Sequence, residues 1–202
     1  MKRLWILAAT ITGAIASNNA ISAGSAEAGA TKSVVCQACH GANGNSVNPE
    51  WPSLAGIGAD YIAEQLANFK SGKRMNAIMM ANVAALTPDD MADLGAYFDS
   101  QKNTGLEADP TYFKAGETLY RAGDKSRGIP ACMACHGPTG RGNEPGKMPA
   151  LAGQHSVYVV KQLTDYASGA RTTGPNNIMP TIAKRLSPDD MRNVASYVQG
   201  LR

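Results

Sequence analysis

Apolar residues recur every three or four positions through several stretches of this chain, and no stretch alternates apolar with polar in the manner of a strand. Ile62, Leu66 and Phe69 share one helical face, as do Met91, Leu94 and Phe98. The same two patterns return later in the chain as Val159 and Leu163, then Met191, Val194 and Val198. Thr87-Pro88-Asp89-Asp90 and Ser187-Pro188-Asp189-Asp190 predict helix starts. Each offers a hydroxyl N-cap, a proline whose missing N–H costs nothing at the first helical position, and acids beside the positive end of the helix dipole. Asp109-Pro110 predicts a further start. The expected fold class is all-α.

The recurrence extends beyond periodicity. Cys36-Gln37-Ala38-Cys39-His40-Gly41 returns as Cys132-Met133-Ala134-Cys135-His136-Gly137, and Pro52-Ser53-Leu54-Ala55-Gly56 as Pro149-Ala150-Leu151-Ala152-Gly153. Tyr61, Gln65 and Leu66 match Tyr158, Gln162 and Leu163, and Tyr97 matches Tyr197. Shared motifs in one order imply a duplicated domain. Residues 100–110 carry Gly, Asn and charge without apolar period, so domains are expected at 23–104 and 105–202. Each is small enough that its core is thin and a staple or cofactor is expected.

The N-terminus reads differently. Lys2 and Arg3 precede an apolar stretch from Leu4 to Ile15 and then small residues, the pattern of a cleaved secretory signal over residues 1–22. That stretch is too short to cross a bilayer, so an exported protein is expected. Residues 23–104 carry five Lys/Arg and eight Asp/Glu, net −3, whereas residues 105–202 carry twelve and eight, net +4. The exported chain is thus weakly polar end to end. No basic block suggests a nucleic-acid partner.

All four cysteines lie in the two Cys-x-x-Cys-His units. Positions i and i+3 of a helical turn share a face, so both sulfurs can meet one edge of a flat ring while the following imidazole turns toward its centre. Two thioethers to haem vinyls plus an axial histidine is the chemistry this spacing serves. Disulfides, a thioredoxin-like redox pair and a zinc site compete. Disulfides do not require a histidine after the second cysteine twice, no βαβ pattern accompanies the pairs, and zinc would have to be shared between repeats. Two covalently bound c-type haems are therefore expected, held by Cys36, Cys39, Cys132 and Cys135, with His40 and His136 on the iron.

Registering the repeats on Leu-[Thr/Ser]-Pro-Asp-Asp selects the sixth ligands. Met79 lies seven residues before Leu86, and Met179 seven before Leu186. Met75 and Met80 align with prolines, while Met91 and Met191 recur at core positions of the capped helices. Met79 and Met179 are the expected axial ligands, with Met80 the runner-up in the first repeat. Met148 is expected to pack beside a ring. His155 aligns with Gly58 and is expected to be a solvated loop residue. Two readings stand for Pro52 and Pro149: their carbonyls accept from the axial imidazoles, or the prolines stiffen matching loops. Arg74 and Arg171 can pair with haem propionates or serve as surface charge. His/Met ligation raises the reduction potential and fills both iron positions, which suits an electron carrier and disfavours turnover.

These residues resemble the dihaem cytochrome c4 family, two class I cytochrome c domains in tandem, over essentially the whole exported chain. The likeness rests on the two Cys-x-x-Cys-His units, Pro52–Gly56 with Pro149–Gly153, the helices after Asp60 and Ser156, and Leu86–Tyr97 with Leu186–Tyr197. Gly153-Gln154-His155 and Gln162-Leu163-Thr164-Asp165 are similar to the family's second domain. The resemblance implies a periplasmic, monomeric carrier, in some members peripherally membrane-associated, moving electrons from the bc1 complex or other donors to terminal oxidases. It also implies haems facing each other across the domain interface. The Met79-Met80 doublet departs from the family's single ligand position. A haem subunit of a periplasmic oxidoreductase, or a dihaem peroxidase, is the alternative.

Overall fold

A computed structural model describes residues 24–202, so the segment read as an export signal lies outside the described residues. The first repeat holds α1 (Ala26–Lys32), α2 (Val34–His40), α3 (Ala59–Lys70), α4 (Ala77–Val83) and α5 (Pro88–Asp99). The second holds α6 (Pro110–Ala122), α7 (Met133–His136), α8 (Ser156–Ser168), α9 (Ile178–Ala183) and α10 (Pro188–Gly200), with a 3₁₀ turn at Pro175–Asn177. Among the described residues there is no strand, only isolated bridges closing the loops Asp124/Ile129 and Asn143/Met148. The fold is all-α, and no described helix is long and apolar enough to cross a membrane.

The predicted starts are where the chemistry puts them. Thr87 Oγ1 accepts from the Asp90 N–H at 3.1 Å while the Asp90 carboxylate accepts from the Thr87 N–H at 2.8 Å. Ser187 and Asp190 repeat that capping box, and Asp109 caps α6. Behind these caps, Met91, Leu94 and Phe98 join Ile62, Leu66, Phe69 and Val83 in one core. Met191, Val194 and Val198 join Leu119, Tyr120 and Leu163 in the other.

Each core is closed by a helix crossing at a glycine. A β-carbon on Gly29 of α1 would overlap the Asp93 carbonyl of α5, and one on Gly116 of α6 would overlap the Asn193 carbonyl of α10. The two crossings also touch equivalent tyrosines, Tyr97 and Tyr197. Close backbone approach explains why glycine occupies both positions.

The segment between the repeats is tied down. Asn45 of the first repeat donates to the Lys102 carbonyl and accepts from the Thr104 N–H at 3.0 and 2.9 Å. Asn103 donates to the Ala152 carbonyl of the second at 3.1 Å and accepts from the Gly105 N–H.

Candidate functional site

Each Cys-x-x-Cys-His unit ends a helix. Cys36 and Cys39 lie one turn apart on α2, whose last residue is His40. Cys132 is the N-cap of α7, which carries Cys135 and ends at His136. Gly41 and Gly137 follow at φ 82° and 79°, a region unfavourable to other residues, and turn the chain sharply after each histidine.

Both imidazoles are buried and oriented by a backbone carbonyl. His40 Nδ1 lies 2.8 Å from the Pro52 oxygen, and His136 Nδ1 lies 2.9 Å from the Pro149 oxygen. A carbonyl only accepts, so the proton sits on Nδ1 and the Nε2 lone pair remains for a ligand. Burial lowers both histidine pKa values, partly opposed by those carbonyl bonds, which keeps the rings neutral at physiological pH. Of the two readings given for these prolines, the acceptance of an imidazole N–H is therefore the one the structure bears out.

A continuous cavity of about 500 Å³ spans both repeats. It is lined by all four cysteines, both of these histidines, Met79 and Met179, with Leu66, Phe69, Leu94, Leu163, Val194 and Val198 among its apolar walls. Met80 is not among the lining residues, whereas Met75 and Met148 are. The Asn76 side chain caps α4 by accepting from the Met79 N–H at 3.0 Å. The second repeat reaches the same place differently: Asn176 and Asn177 both take left-handed backbone, φ 51° and 55°, before Met179 on α9. Asparagine tolerates that region better than most residues.

The competing readings of the cysteines lack support in this geometry. The four thiols are unpaired. Burial pushes Cys132 up to about 11 and raises Cys36, the opposite of an activated thiolate. No three His, Cys, Asp or Glu side chains converge as a metal site among the described residues.

Arg74 and Arg171, for which surface charge remained open, are 8% and 4% exposed. They form a pseudo-symmetric cluster between the repeats. Arg74 donates to Gln65 of its own repeat at 3.0 Å, and to Tyr158 and Gln162 of the other at 2.8 and 2.7 Å. Arg171 donates to Gln162 at 2.7 Å, and to Tyr61 and Gln65 at 2.9 Å each. All these partners are neutral, and among the described residues neither arginine makes an ion pair. Two buried cations beside one cavity leave a charge that anions must balance. A cofactor with carboxylate arms, a flat apolar body and two thiol-reactive groups on one edge fits this donor set. The recurrence of Tyr61/Tyr158 and Gln65/Gln162 was the available signal for the cluster, but their role was not foreseen.

His155 corrects an expectation. It is 6% exposed, not solvated, and its Nε2 lies 2.8 Å from the Ser46 carbonyl of the first repeat. The repeat register could not show this, because the contact crosses between domains. Gln154, also unforeseen, bonds Ser53 of the first repeat through both ends of its amide.

The cytochrome c family model matches residues 26–102 and again 113–202. Cytochrome c4 of Azotobacter vinelandii is 48% identical over 189 residues, covering 89% of this chain and 90% of that protein. The chain belongs to the cytochrome c4 family. The crystal structure of reduced cytochrome c4 from Pseudomonas stutzeri superposes with a TM-score of 0.87 at 44% identity, covering 89% of this chain and all of that one. A relative from Thiomonas intermedia described as a thiosulfate dehydrogenase electron acceptor is 38% identical over 170 residues, 81% of this chain and 76% of its own length. As a dihaem cytochrome c4, the protein carries two covalently bound c-type haems, for which the two Cys-x-x-Cys-His motifs are the fitting attachment units. It is an electron carrier rather than an enzyme.

Proposed function

We propose that Cys36 and Cys39 anchor the first haem and Cys132 and Cys135 the second, with His40 and Met79, and His136 and Met179, as axial iron ligands. The observation that carries this reading is that in each repeat a buried, neutral imidazole with its Nδ1 already engaged lines the same cavity as the paired thiols and a register-matched methionine. When bound, each haem supplies a one-electron Fe(II)/Fe(III) couple. The protein's part is to fill both axial positions, keep water from the ring with apolar walls, and set Arg74 and Arg171 against the propionate charge. We place the domains at 23–104 and 105–202 and the export signal at 1–22, with the mature protein in the periplasm.

In this reading the carrier takes electrons from the bc1 complex and delivers them to a terminal oxidase. The acidic first half and basic second half support oriented docking at two different partners. A second donor, a thiosulfate-oxidising enzyme, is favoured by the likeness to the Thiomonas intermedia acceptor. Haem quantitation of the mature protein should give two per chain, and a redox titration should resolve two couples. Rapid entry of cyanide into the ferric wild type would overturn filled axial positions. Rates of reduction by isolated bc1 complex and by a thiosulfate dehydrogenase, measured against ionic strength, separate the two donors.

A further inference from the structure

The two repeats grip each other at one equivalent point by unequal means. Pro52 and Pro149 supply the carbonyls that orient the two imidazoles, and the residue after each proline, Ser53 or Ala150, is held by the opposite repeat. The first repeat holds Ala150 with one backbone bond, Ala150 N–H to the Ile57 carbonyl at 3.0 Å. At the position equivalent to Ile57 the second repeat carries Gln154. Its side-chain amide closes a two-bond ring on Ser53, accepting from the Ser53 N–H at 2.9 Å and donating to the Ser53 carbonyl at 2.8 Å. Its neighbour His155 adds an Nε2–H bond to the Ser46 carbonyl at 2.8 Å, at the other end of the same loop. The Ser53 hydroxyl accepts from the Ser46 N–H, so the loop is also tied across itself. Gln154 and His155 are both buried, which excludes competing water from these bonds.

We propose that Gln154 and His155 of the second domain are positioning residues for the first haem: they fix the Ser46–Ser53 loop so that the Pro52 carbonyl stays in place to accept from His40. The proposal rests on the reading of His40 as an axial ligand. An imidazole that donates its Nδ1 proton is a more basic ligand and stabilises the ferric state. Releasing the loop weakens that donation, so the first haem becomes easier to reduce while the second is untouched. The first haem is thereby tuned by the other domain through side chains at the residue after its proline, whereas the equivalent residue of the second site, Ala150, is held by a single backbone bond.

Gln154→Met removes both amide bonds at nearly constant volume. In the holoprotein it is expected to raise the first haem's reduction equilibrium constant at least threefold, about 28 mV at 59 mV per tenfold for one electron, with the second couple unmoved. Hydrogen exchange of the His40 Nδ1 proton, followed by NMR in the reduced protein, should accelerate relative to that of His136. An unmoved first couple, or equal shifts in both, overturns the proposal. If Gln154→Met fails to accumulate as holoprotein, His155→Leu and His155→Gln decide it. Leu should shift the first couple in the same direction, and Gln, which keeps an N–H near the Nε2 position, should restore it; indistinguishable potentials overturn the role. The ligand reading is checked separately, by the His–Met absorption signature of the wild type and its loss at one haem in Met79→Ala. Failure there is distinct from an unmoved potential with intact ligation.

Discussion

The two domains build one kind of site on different scaffolds. In the first, α1 is separated from α2 by Ser33 alone, and the half-buried Gln37 amide donates to the buried Ser33 hydroxyl at 2.6 Å and to the Tyr97 hydroxyl at 3.4 Å. In the second, α6 ends at Ala122, capped by Gly123, and a loop intervenes before Cys132, while Phe113 and Tyr120 pack tilted against Tyr197 with ring centroids 5.1 and 5.2 Å from it. Tyr120 reaches the Gly137 carbonyl with its hydroxyl at 2.7 Å, directly after His136. The capped helix is pinned by different cations: Lys32 pairs with Asp90 in one domain and Arg127 with Asp190 in the other, both at 2.6 Å. What stays constant is the imidazole–carbonyl bond, the methionine register and the glycine crossing. The side chains proposed to hold the iron recur together with the glycine crossing, while the packing and ion pairs around them differ.

That contrast can be broken most sharply at the methionines. Met79→Ala should lower one couple and Met179→Ala the other, each by more than tenfold in its reduction equilibrium, above ~59 mV. Met80→Ala should move neither. A potentiometric titration followed by absorption reads all three, and a first couple that responds to Met80 instead of Met79 would reverse the assignment in that domain alone.

The glycine crossings come next. Gly29→Ala and Gly116→Ala each force backbone apart, and each should destabilise the holoprotein by about 1–3 kcal/mol. Denaturant unfolding measures this, and a much smaller loss at one position would show that its helix pair has room the other lacks. Smaller still, Thr87→Ala and Ser187→Ala should each cost about 1 kcal/mol through loss of the cap.

The smallest effect is on acid stability. The Arg127 guanidinium, helped by hydrogen bonds from Ser187, holds Asp190 down to about 2, and Lys32 with Thr87 likewise depresses Asp90. A carboxylate depressed in the folded state stabilises it above its unfolded value of about 3.9. That stability fades as pH falls from about 4 through about 2. Melting temperatures measured across this range should drop, and Asp190→Asn should lower the near-neutral plateau and shrink the fall in acid, its curve converging on wild type at the lowest pH.

Much of this was legible in the sequence because it is local or repeated. Helical period, the Thr87 and Ser187 caps and the Asp109 start follow from residues within a few positions of each other. Duplication supplied an internal alignment, which singled out Met79 over Met80, and in the structure only Met79 lines the cavity. What stayed hidden depends on contacts between residues of different repeats. Arg74 looks like any lysine-flanked surface arginine until Tyr158 and Gln162 are folded against it. His155 has only Gly58 as its counterpart in the first repeat, so an alignment of the chain with itself was bound to treat it as dispensable. The left-handed pair Asn176-Asn177 also gave no warning, since its counterpart Asn76 reaches the same methionine with extended backbone at φ −164°.

The fastening of residues 100–105 by Asn45 on one side and Asn103 on the other has a consequence for how the molecule meets its surroundings. A slack tether would let the halves tumble separately, each collision with a partner finding a new mutual orientation. A tether stitched down at both ends instead makes the pair rotate as one rigid bead. It also holds in place an accessible stretch, with Lys102 and Thr104 exposed, that an endoprotease would have to pull free before the halves could part.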